Sequence, residues 1–506
     1  MTNSKKLISE LQAEQISSGA KSSGKIVGMC HGVFDLLHPG HFAHFKAAKA
    51  KVDLLIVSVT ADRFVNKGPG RPLFPEEVRA QTISMLECVD YVLVSEYQSA
   101  IHSIDLIKPS IYFKGSDYVN HASDITGMIS KEIAQVKKHG GEIHYTNELT
   151  SSSTSLINAH FANRGKDLEE WIRDFRSKYS TELVYHYLDS IENTKIGIIG
   201  EIIIDKYTNC ESLAKSSKDP ILAFQIQDTQ TFTGGILAIA DNIKSWAKQV
   251  YLFSSLPNQV PQEQSSLVDE IIGIDNMHII KSENKLIVKH RFVDIGSGTR
   301  VFETYDFHQE SMNLSGRTLF QLLESCDSKV DIWIVADYGH GLISREVASK
   351  ISTLEKFLAV NTQANAGNRG FNTITKYPHA DFLSLNGSEL QLELRDRNPA
   401  YEVIVPQYME RLKSSYAVVT LGAKGMMIFS KKGHTLVPAL GSRIVDKVGA
   451  GDAVLAIGSI LARHGAPIEI IGLVASIVAA HEISQLGHQS SLKISDIKKA
   501  VKGLLG

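Results

Sequence analysis

The sequence predicts two α/β domains joined by a helical linker. With 506 residues, the chain is longer than one hydrophobic core usually supports. Two stretches, 25–160 and 195–506, each open on a buried apolar strand and continue with alternating strand and helix patterns. Residues 161–194 carry apolar side chains at helical spacing among many charges, and residues 1–24 predict a helical extension. The linker is neither Gly/Ser-rich nor Pro-rich, so we expect it to restrict the orientations of the two domains.

The first domain opens with a strand-to-helix corner that suits a triphosphate. Residues 25–30 predict a buried strand, and Phe42 and Phe45 recur at helical spacing, so His38 and His41 lie at the start of a helix. Backbone N–H groups and the helix dipole favour an anion there. Two imidazoles at this corner can donate hydrogen bonds to an α-phosphate and stabilise the charge of its transition state.

Two later segments of this domain could also meet phosphates. Residues 52–59 predict a second buried strand, which runs into a Gly/Pro-rich loop, 60–72, with three cations. The run 151–157 places hydroxyls directly before Leu-Ile, a helix N-cap pattern that can grip phosphate oxygens. The alternative is that Lys67 and Arg79 are solvated surface charges.

The string G-V-F-D-x-x-H-x-G-H over residues 32–41 resembles the signature of the nucleotidyltransferase superfamily that includes glycerol-phosphate cytidylyltransferase and the heptose 1-phosphate nucleotidyltransferases. The resemblance implies a Rossmann-like fold in which His38, His41 and Lys67 are catalytic. It implies nucleotide or phosphate contacts by Gly32, Val33, Phe34, Arg79, Ser153, Thr154 and Ser155, and substrate contacts by Asp35, Lys114 and Asp117. Ser116 replaces the second glycine of the K-G-G-D-Y segment of the heptose enzymes, which leaves the acceptor open. The choice between ATP and CTP also stays open.

The most specific motif of the second domain lies at residues 445–457. Gly449 and Gly451 allow a tight turn that presents backbone N–H groups at the start of an apolar helix, where a transferred γ-phosphoryl group carries charge. Asp452 stands beside this nest of N–H groups and can take a proton from an attacking hydroxyl. The motif therefore predicts a phosphoryl-transfer site.

The pattern D-x-x-G-A-G-D before an apolar helix resembles the signature of ribokinase-like sugar kinases of the phosphofructokinase B type, and four further motifs follow the order of that family. The resemblance implies a ribokinase-like α/β domain with a small β lid, ATP as phosphoryl donor, and Mg²⁺. It implies nucleotide or phosphate contacts by Thr420, Gly422, Gly425, Gly449, Ala450 and Gly451, substrate contacts by Asp205, Gly234, Gly235, Asn242 and Asp337, and an indirect magnesium role for Asn386 and Glu389. Asp205 could instead cap a helix or turn.

The second domain departs from the heptose kinases at two places. Glu201 follows Gly200 where those kinases have G-D, and residues 234–242 lack their alanine-rich run, so we expect an altered sugar pocket. The amide-rich loop 362–370 has no assigned role; it could bind a phosphate or a sugar, or form a hydrogen-bonded turn.

Residues 285–294 and 299–305 predict a β-hairpin across a Gly-Ser-Gly turn. In ribokinase-like enzymes such strands form the lid over the sugar, and an exposed ribbon is rarely stable unless its apolar face is covered. We therefore expect a homodimer through the lid, with Ile287 and Phe292 on the apolar face. Packing of the hairpin on its own domain is the alternative.

Composition limits the partners and the compartment. Lys and Arg number 53 against 55 acidic residues, so nothing predicts nucleic-acid binding. The apolar stretch 470–480 is too short to span a bilayer, and the N-terminus lacks the order of a signal peptide, so we expect no membrane association. The four cysteines form no C-x-x-C pattern, which favours a reducing cytoplasm and no zinc site.

Both halves resemble the bifunctional enzymes of ADP-heptose synthesis, with the order along the chain reversed. The resemblance implies that the second domain phosphorylates a sugar or sugar phosphate with ATP, and that the first couples a sugar phosphate to a nucleoside monophosphate with release of pyrophosphate. Two alternatives stay open: the kinase half could be a regulatory or dimerising domain, or the acceptor could be glycerol phosphate or another polyol phosphate.

Overall fold

The computed structural model describes residues 5–65, 71–97, 99–115, 128–146, 166–216, 218–260, 276–282, 285–306, 313–368, 370–440 and 444–505. The chain divides into two compact units, Met1–Arg164 with Lys498–Gly506, and Gly165–Ile497. The predicted linker residues from Gly165 onward thus group with the second unit.

The first unit is built on a parallel sheet whose described strands have the order β3-β2-β1-β4-β5. The strands are β1 Val27–Gly32, β2 Leu54–Thr60, β3 Tyr91–Ser95, β4 Ile111–Gly115 and β5 Glu142–Thr146. The helices are α1 Glu10–Ser22, α2 Pro39–Lys49, α3 Glu76–Ser84, α4 Ile101–Ile107 and α5 Met128–Lys138. Successive strands are added on one side of β1 and then on the other, so the sheet has a switch point between β1 and β4. In such sheets, ligands bind at the carboxyl ends of the strands beside the switch point.

Both faces of this sheet are covered by apolar side chains. Alternate strand residues supply the two cores: Cys30 and Val57 lie in one cluster with Phe45 of α2, whereas Met29 and Ile56 lie in the other. The predicted N-terminal extension is helical as α1, which begins with a capping box at Ser9.

The second unit combines a large sheet with a smaller one. In the described residues, the large sheet has the order β10-β9-β6-β13-β14-β15-β16-β17-β18, and its last two pairs are antiparallel. Its strands are β6 Lys195–Gly200, β9 Gln249–Pro257, β10 Asn276–Ser282, β13 Ile332–Asp337, β14 Phe357–Thr362, β15 Phe382–Asn386, β16 Tyr416–Thr420, β17 Met426–Ser430 and β18 Gly433–Val437.

The helices of the second unit follow in chain order. They are α6 Lys166–Lys178, α7 Thr181–Ile191, α8 Ile236–Lys244, α9 Asn313–Cys326, α10 Arg345–Ile351, α11 Gly387–Leu394, α12 Tyr401–Arg411, α13 Ala450–Arg463 and α14 Ile468–Glu482, and α15 Ile494–Leu505 ends the chain across the unit boundary. Most side chains of α13 and α14 are buried, as the apolar stretch 470–480 predicted for a buried kinase helix. No described helix is both long and apolar enough to cross a membrane.

The smaller sheet, which we call the lid sheet, has the order β12-β11-β7-β8. Its strands are β7 Ile202–Lys215, β8 Leu222–Gly235, β11 Ile287–Asp294 and β12 Thr299–Asp306. The predicted hairpin is confirmed as the antiparallel pair β11–β12. The buried strand that the sequence predicts at the start of the second domain runs on to Asp205, but the structure divides it between two sheets: β6 ends at Gly200, and β7 begins in the lid sheet.

Candidate active sites

His38 is the N-cap residue of α2, at the carboxyl end of β1. Its Nδ1 accepts a hydrogen bond from Gly40 N at 3.2 Å. Because Nδ1 is the acceptor, the neutral ring carries its proton on Nε2, which can donate to a phosphate oxygen. Burial lowers the pKa of His38, so the neutral ring predominates near pH 7.

His41 lies beside His38 on the first turn of α2. The centroids of the two imidazole rings are 4.0 Å apart, and the Phe34 ring meets His41 edge-on at 5.5 Å. Phe34 has a φ of 50°, a left-handed conformation that non-glycine residues seldom adopt. A side chain at Gly32 would come within 3.1 Å of the Phe34 ring, so close packing fixes this loop beneath the histidine pair.

Arg79 and Asp35 both hold this loop through hydrogen bonds to backbone groups. The Arg79 guanidinium is buried and donates to the carbonyl oxygens of Val33, Thr60 and Phe74, and to Asp62. Asp35 is also buried. Its carboxylate accepts hydrogen bonds from the backbone N–H groups of Leu73 and Phe74 and pairs with Arg71 at 3.0 Å. Protein groups engage both side chains in this structure, and the phosphate contact of Arg79 and the substrate contact of Asp35 stay predictions.

Lys114 is the penultimate residue of β4, the strand across the switch point from β1. Its Nζ lies 2.9 Å from Glu132 Oε2, which also accepts from the Tyr112 hydroxyl at 3.0 Å. Burial acts to raise the pKa of Glu132, but Lys114 and His31 outweigh it, so the pKa is lowered and the carboxylate stays charged. Lys114 therefore forms an ion pair near the carboxyl end of β4, beside the switch point of the sheet.

Sequence analysis missed two histidines near Lys114. His44 Nδ1 lies 2.6 Å from Thr146 Oγ1, and burial, with a contribution from Lys114, lowers its pKa to about 4. His31 Nδ1 lies 3.0 Å from Ser58 Oγ, and burial lowers its pKa to about 4 as well. The spacing of His44, three residues after His41 on the same helix, was the available signal. The expected contacts of Lys67, Asp117, Ser153, Thr154 and Ser155 lie outside the described residues.

The predicted nest in the second unit forms at the start of α13. Gly449 is its N-cap residue with a φ of 87°, and Ala450 and Gly451 begin the helix. Asp452 follows in the first turn, where its side chain is half-buried. Burial raises the pKa of Asp452 to about 7, whereas the Tyr338 hydroxyl and the Lys289 ammonium oppose the rise. A carboxylate with that pKa is suited to act as a general base near neutral pH.

One row of the lid sheet carries the predicted sugar-binding residue. In register across the strands, Asp205 of β7 lies beside Lys289 of β11, which lies beside Tyr305 of β12. Asp205 and Lys289 lie close enough to Asp452 for their charges to act on its pKa, in opposite directions. Asp205 Oδ1 also accepts from Arg291 at 2.5 Å. Lys289 and Arg291 were not predicted, although their alternate positions in the predicted hairpin place them on one face.

Gly234 and Gly235 fit the close approach of β8 to β7. A side chain at Gly234 would collide with Asp205 Oδ2, and one at Gly235 would come within 2.5 Å of the Glu201 carbonyl oxygen. Gly235 also has a φ of 59°, which favours glycine. These glycines therefore bring β8 against the carboxylate of Asp205.

Asn242 and Asp337 are held by protein partners. Asn242 lies inside α8, where its Nδ2 donates to Glu482 Oε1 at 2.9 Å. Asp337 is fully buried, pairs with Lys376, and accepts from the Tyr377 hydroxyl at 2.7 Å. The substrate contact expected of each stays a prediction.

Asn386 and Glu389 form a capping box at the start of α11. Glu389 Oε2 accepts from Asn386 N at 3.1 Å and Oε1 accepts from Ala364 N at 3.0 Å. Among the residues that the structure describes, no cluster of three or more His, Cys, Asp or Glu side chains could hold a metal. Because backbone donors engage both oxygens of Glu389, the pair fits the indirect role expected for magnesium, through water and ATP phosphates.

Thr420, Gly422 and Gly425 lie around the turn that links β16 to β17. Thr420 ends β16, and Gly422 and Gly425 have φ values of 60° and 93°. A side chain at Gly425 would collide with the Val437 carbonyl oxygen. The backbone conformation of this turn therefore favours glycine at both positions, independently of any ligand.

Glu201 is a buried carboxylate between the two sheets of the second unit. It accepts from Tyr338 N at 3.1 Å and from His340 N at 3.0 Å. Burial raises its pKa to about 7, and Asp337 acts in the same direction. Glu201 thus stands where the heptose kinases have an aspartate, and its longer side chain accepts hydrogen bonds from the backbone that follows β13.

Comparisons with known proteins agree with this division of the chain. A cytidylyltransferase-like family model matches residues 29–160, and the pfkB family carbohydrate kinase model matches residues 193–495. The bifunctional protein HldE of Geobacter sulfurreducens is 32% identical over 144 residues, and that of Trichlorobacter lovleyi is 34% identical over 145 residues. Each match covers 28% of this chain and 28% of the relative, so the chain spans just over a quarter of the length of these relatives.

A solved structure of phosphofructokinase-2 from Escherichia coli is similar at 12% identity, with a TM-score of 0.49, over 62% of this chain and 99% of that chain. The sheet orders and the family models confirm the predicted pair of α/β domains. The chain belongs to the pfkB family of carbohydrate kinases and carries an N-terminal cytidylyltransferase-like domain.

Proposed function

We propose that this protein is a bifunctional sugar-activating enzyme. Its second unit transfers the γ-phosphoryl group of ATP to a hydroxyl of a sugar or sugar phosphate of the heptose phosphate class. Its first unit couples a sugar phosphate to the nucleoside monophosphate of ATP or CTP, giving a nucleotide sugar for surface polysaccharide. The observation that carries the proposal is the position of Asp452, which follows the Gly449 nest and lies near Asp205 of the lid sheet.

In the kinase reaction, Asp452 takes the proton from the acceptor hydroxyl as its oxygen attacks the γ-phosphorus of ATP. Asp205 orients the sugar hydroxyls, and the N–H groups of residues 449–451 stabilise the charge on the transferred group. The bond from the γ-phosphorus to the bridging oxygen breaks, and ADP leaves. Mg²⁺ would neutralise phosphate charge, with Asn386 and Glu389 ordering its surroundings.

In the nucleotidyl transfer, a phosphate oxygen of the sugar phosphate attacks the α-phosphorus of the nucleotide. His38 and His41 donate hydrogen bonds to the α-phosphate oxygens and stabilise the transition state. Lys67 and the hydroxyls of residues 153–155 are proposed to hold the β- and γ-phosphates, which leave as pyrophosphate. The hydrogen bond from Gly40 N to His38 Nδ1 supports this role, because it leaves the proton of the neutral ring on Nε2.

We further propose a cytoplasmic homodimer assembled through the lid sheet, with small-molecule sugar phosphates and nucleoside triphosphates as its ligands. The aromatic residues on the outer face of the lid sheet support the dimer. Phe302 is 50% exposed and stacks on Phe292 with ring centroids 4.4 Å apart. Ile287, expected on this apolar face, is buried in its own unit.

Product mass tests the function. The protein is incubated with ATP or CTP and with heptose, hexose and polyol phosphates. We expect a phosphorylated sugar with ATP and a nucleotide sugar with one of the two triphosphates. A nucleotide adduct of a polyol phosphate, without phosphorylation of any sugar, would instead support the polyol alternative.

A further inference from the structure

Gln363 belongs to the amide-rich loop 362–370 and touches Asp452. It directly follows β14, and its Nε2 donates to Asp452 Oδ1 at 2.7 Å. The two residues are 89 positions apart in the sequence, so no local pattern connects them. The loop that sequence analysis left without a role therefore contacts the proposed base.

The backbone of Gln363 is fixed on both sides. Its N–H donates to the Asp337 carbonyl oxygen at 2.8 Å, and its own carbonyl oxygen accepts from Asn372 Nδ2 at 3.2 Å. The next residue, Ala364, donates its N–H to Glu389. A residue held in this way presents its side chain in a defined direction.

The same loop also fixes the backbone of Tyr338, whose ring stands beside Asp452. Asn365 Nδ2 and Asn368 Nδ2 both donate to the Tyr338 carbonyl oxygen, at 2.7 and 2.9 Å. The side-chain amides of this loop thus bind backbone groups at the carboxyl ends of β13 and β14. This arrangement favours the hydrogen-bonded turn over a direct phosphate site.

The contact has two consequences for a carboxylate base. A donor on Oδ1 restrains the carboxylate plane and leaves Oδ2 to receive the acceptor's proton. A donor to a carboxylate also favours its charged form, which opposes the effect of burial. The other groups that act on Asp452 are Lys289 and Tyr338, which favour the charged form, and Asp205 and Glu482, which oppose it.

We propose that Gln363 is a positioning residue for the kinase reaction, whose side-chain amide orients Asp452 and keeps it charged at neutral pH. The inference rests on the proposed function, in which Asp452 is the base. Glu389 reaches the same base through the backbone of Ala364 and the side chain of Gln363. Glu389 thereby helps to fix the backbone next to Gln363.

The test replaces Gln363 by methionine, which is similar in length but has no N–H to donate. The matched control is Gln391→Met, because Gln391 also donates its amide to a neighbouring loop, to the Arg397 carbonyl oxygen at 2.9 Å, away from Asp452. For each full-length protein, kcat and KM for ATP are measured from pH 5.5 to 9 with a heptose phosphate as acceptor.

In the plot of kcat against pH, Gln363→Met should shift the midpoint of the acid limb to a pH about one unit higher, because a hydrogen bond to the charged carboxylate is lost. The value of kcat at pH 7 should fall by about fivefold, because the charged fraction of a group with a pKa of about 7 then falls from about one half to about one tenth. KM for ATP should stay within about twofold, since a base acts mainly in the transition state. The control should match the wild type. If the methionine variant does not fold, Gln363→Leu, which also has no side-chain N–H to donate, gives the same decision.

An acid limb that stays in place in Gln363→Met, whether kcat is unchanged or falls equally at every pH, overturns the inference alone. Absence of phosphoryl transfer by the wild type with every acceptor overturns the proposed kinase function, and this inference with it.

Discussion

His38 combines a structural and a chemical role in one imidazole. Its Nδ1 caps α2, and the neutral ring therefore carries its proton on Nε2, toward the expected phosphate site. Asparagine can also cap a helix, but it lacks the Nε2 donor. The two roles of His38 can therefore be separated by substitution.

His38→Asn should keep the stability of the wild type, whereas His38→Ala should lose about 1 kcal/mol with the cap. Both variants should lose nucleotidyl transfer by on the order of a hundredfold, because transition-state stabilisation is lost in both. Pyrophosphate release and denaturant unfolding measure the two effects. Wild-type turnover by His38→Asn would exclude the chemical role.

Asp452 should make the stability of the second unit depend on pH. Its folded pKa of about 7 lies above the ordinary value of 3.8, so its stabilising contribution is complete below about pH 4 and is lost as the pH rises through 7. Asp452→Asn removes this dependence. The Tm of the variant relative to wild type should therefore rise from pH 5 to pH 8, as measured by differential scanning calorimetry.

The control for this experiment is Asp219→Asn, on an exposed bend of the second unit. Its Tm difference from wild type should be the same at both pH values. If the Tm difference between Asp452→Asn and the wild type is also the same at both pH values, the charged carboxylate does not destabilise the folded protein.

At the scale of elements, the start of α13 depends on the left-handed conformation of Gly449. An alanine there would adopt a φ of 87°, and its Cβ would lie 3.4 Å from Glu482 Oε2. Gly451, two residues on, has open space where a Cβ would stand. The two glycines therefore form a matched pair for testing the turn.

Gly449→Ala should destabilise the protein by about 1–2 kcal/mol, the cost of a left-handed non-glycine residue, and should weaken ATP binding as the nest distorts. Gly451→Ala should leave the free energy of unfolding nearly unchanged. Denaturant unfolding of both variants provides the comparison. Equal stability of the two would mean that the turn does not need its glycine.

The elements could be predicted because their signals are local. The apolar run before His31, the helix after Gly449 and the hairpin at 287–306 all appear in the structure. The sequence does not predict that the strand ends at Gly200, because the apolar pattern continues beyond this residue. In the structure, the residues after it form β7 of the lid sheet.

The partners of single side chains could not be predicted in this way. The motif of Arg79 predicted a phosphate contact but not the hydrogen bonds that its guanidinium donates to the carbonyl oxygens of Val33 and Thr60. Gln363 meets Asp452 because the carboxyl end of β14 lies beside the first turn of α13. Such contacts depend on tertiary structure, which a residue pattern does not specify.

At the scale of the whole molecule, the proposed dimer depends on the outer face of the lid sheet. Phe302→Asp places a charge there, and we expect sedimentation to change from dimer to monomer with weaker sugar binding. Phe371→Asp, at a residue 90% exposed outside the lid sheet, is the control and should remain dimeric. A wild-type protein that sediments as a monomer across micromolar concentrations would contradict the dimer.

The central claim is that one chain carries two separate transferase sites. Both reactions are assayed in wild type, His41→Ala and Asp452→Asn, with kinase activity followed as ADP formation and nucleotidyl transfer as pyrophosphate release from a supplied sugar 1-phosphate. We predict that His41→Ala loses only nucleotidyl transfer and that Asp452→Asn loses only phosphorylation. Loss of both activities in either folded variant, or full phosphorylation by Asp452→Asn, would contradict the account.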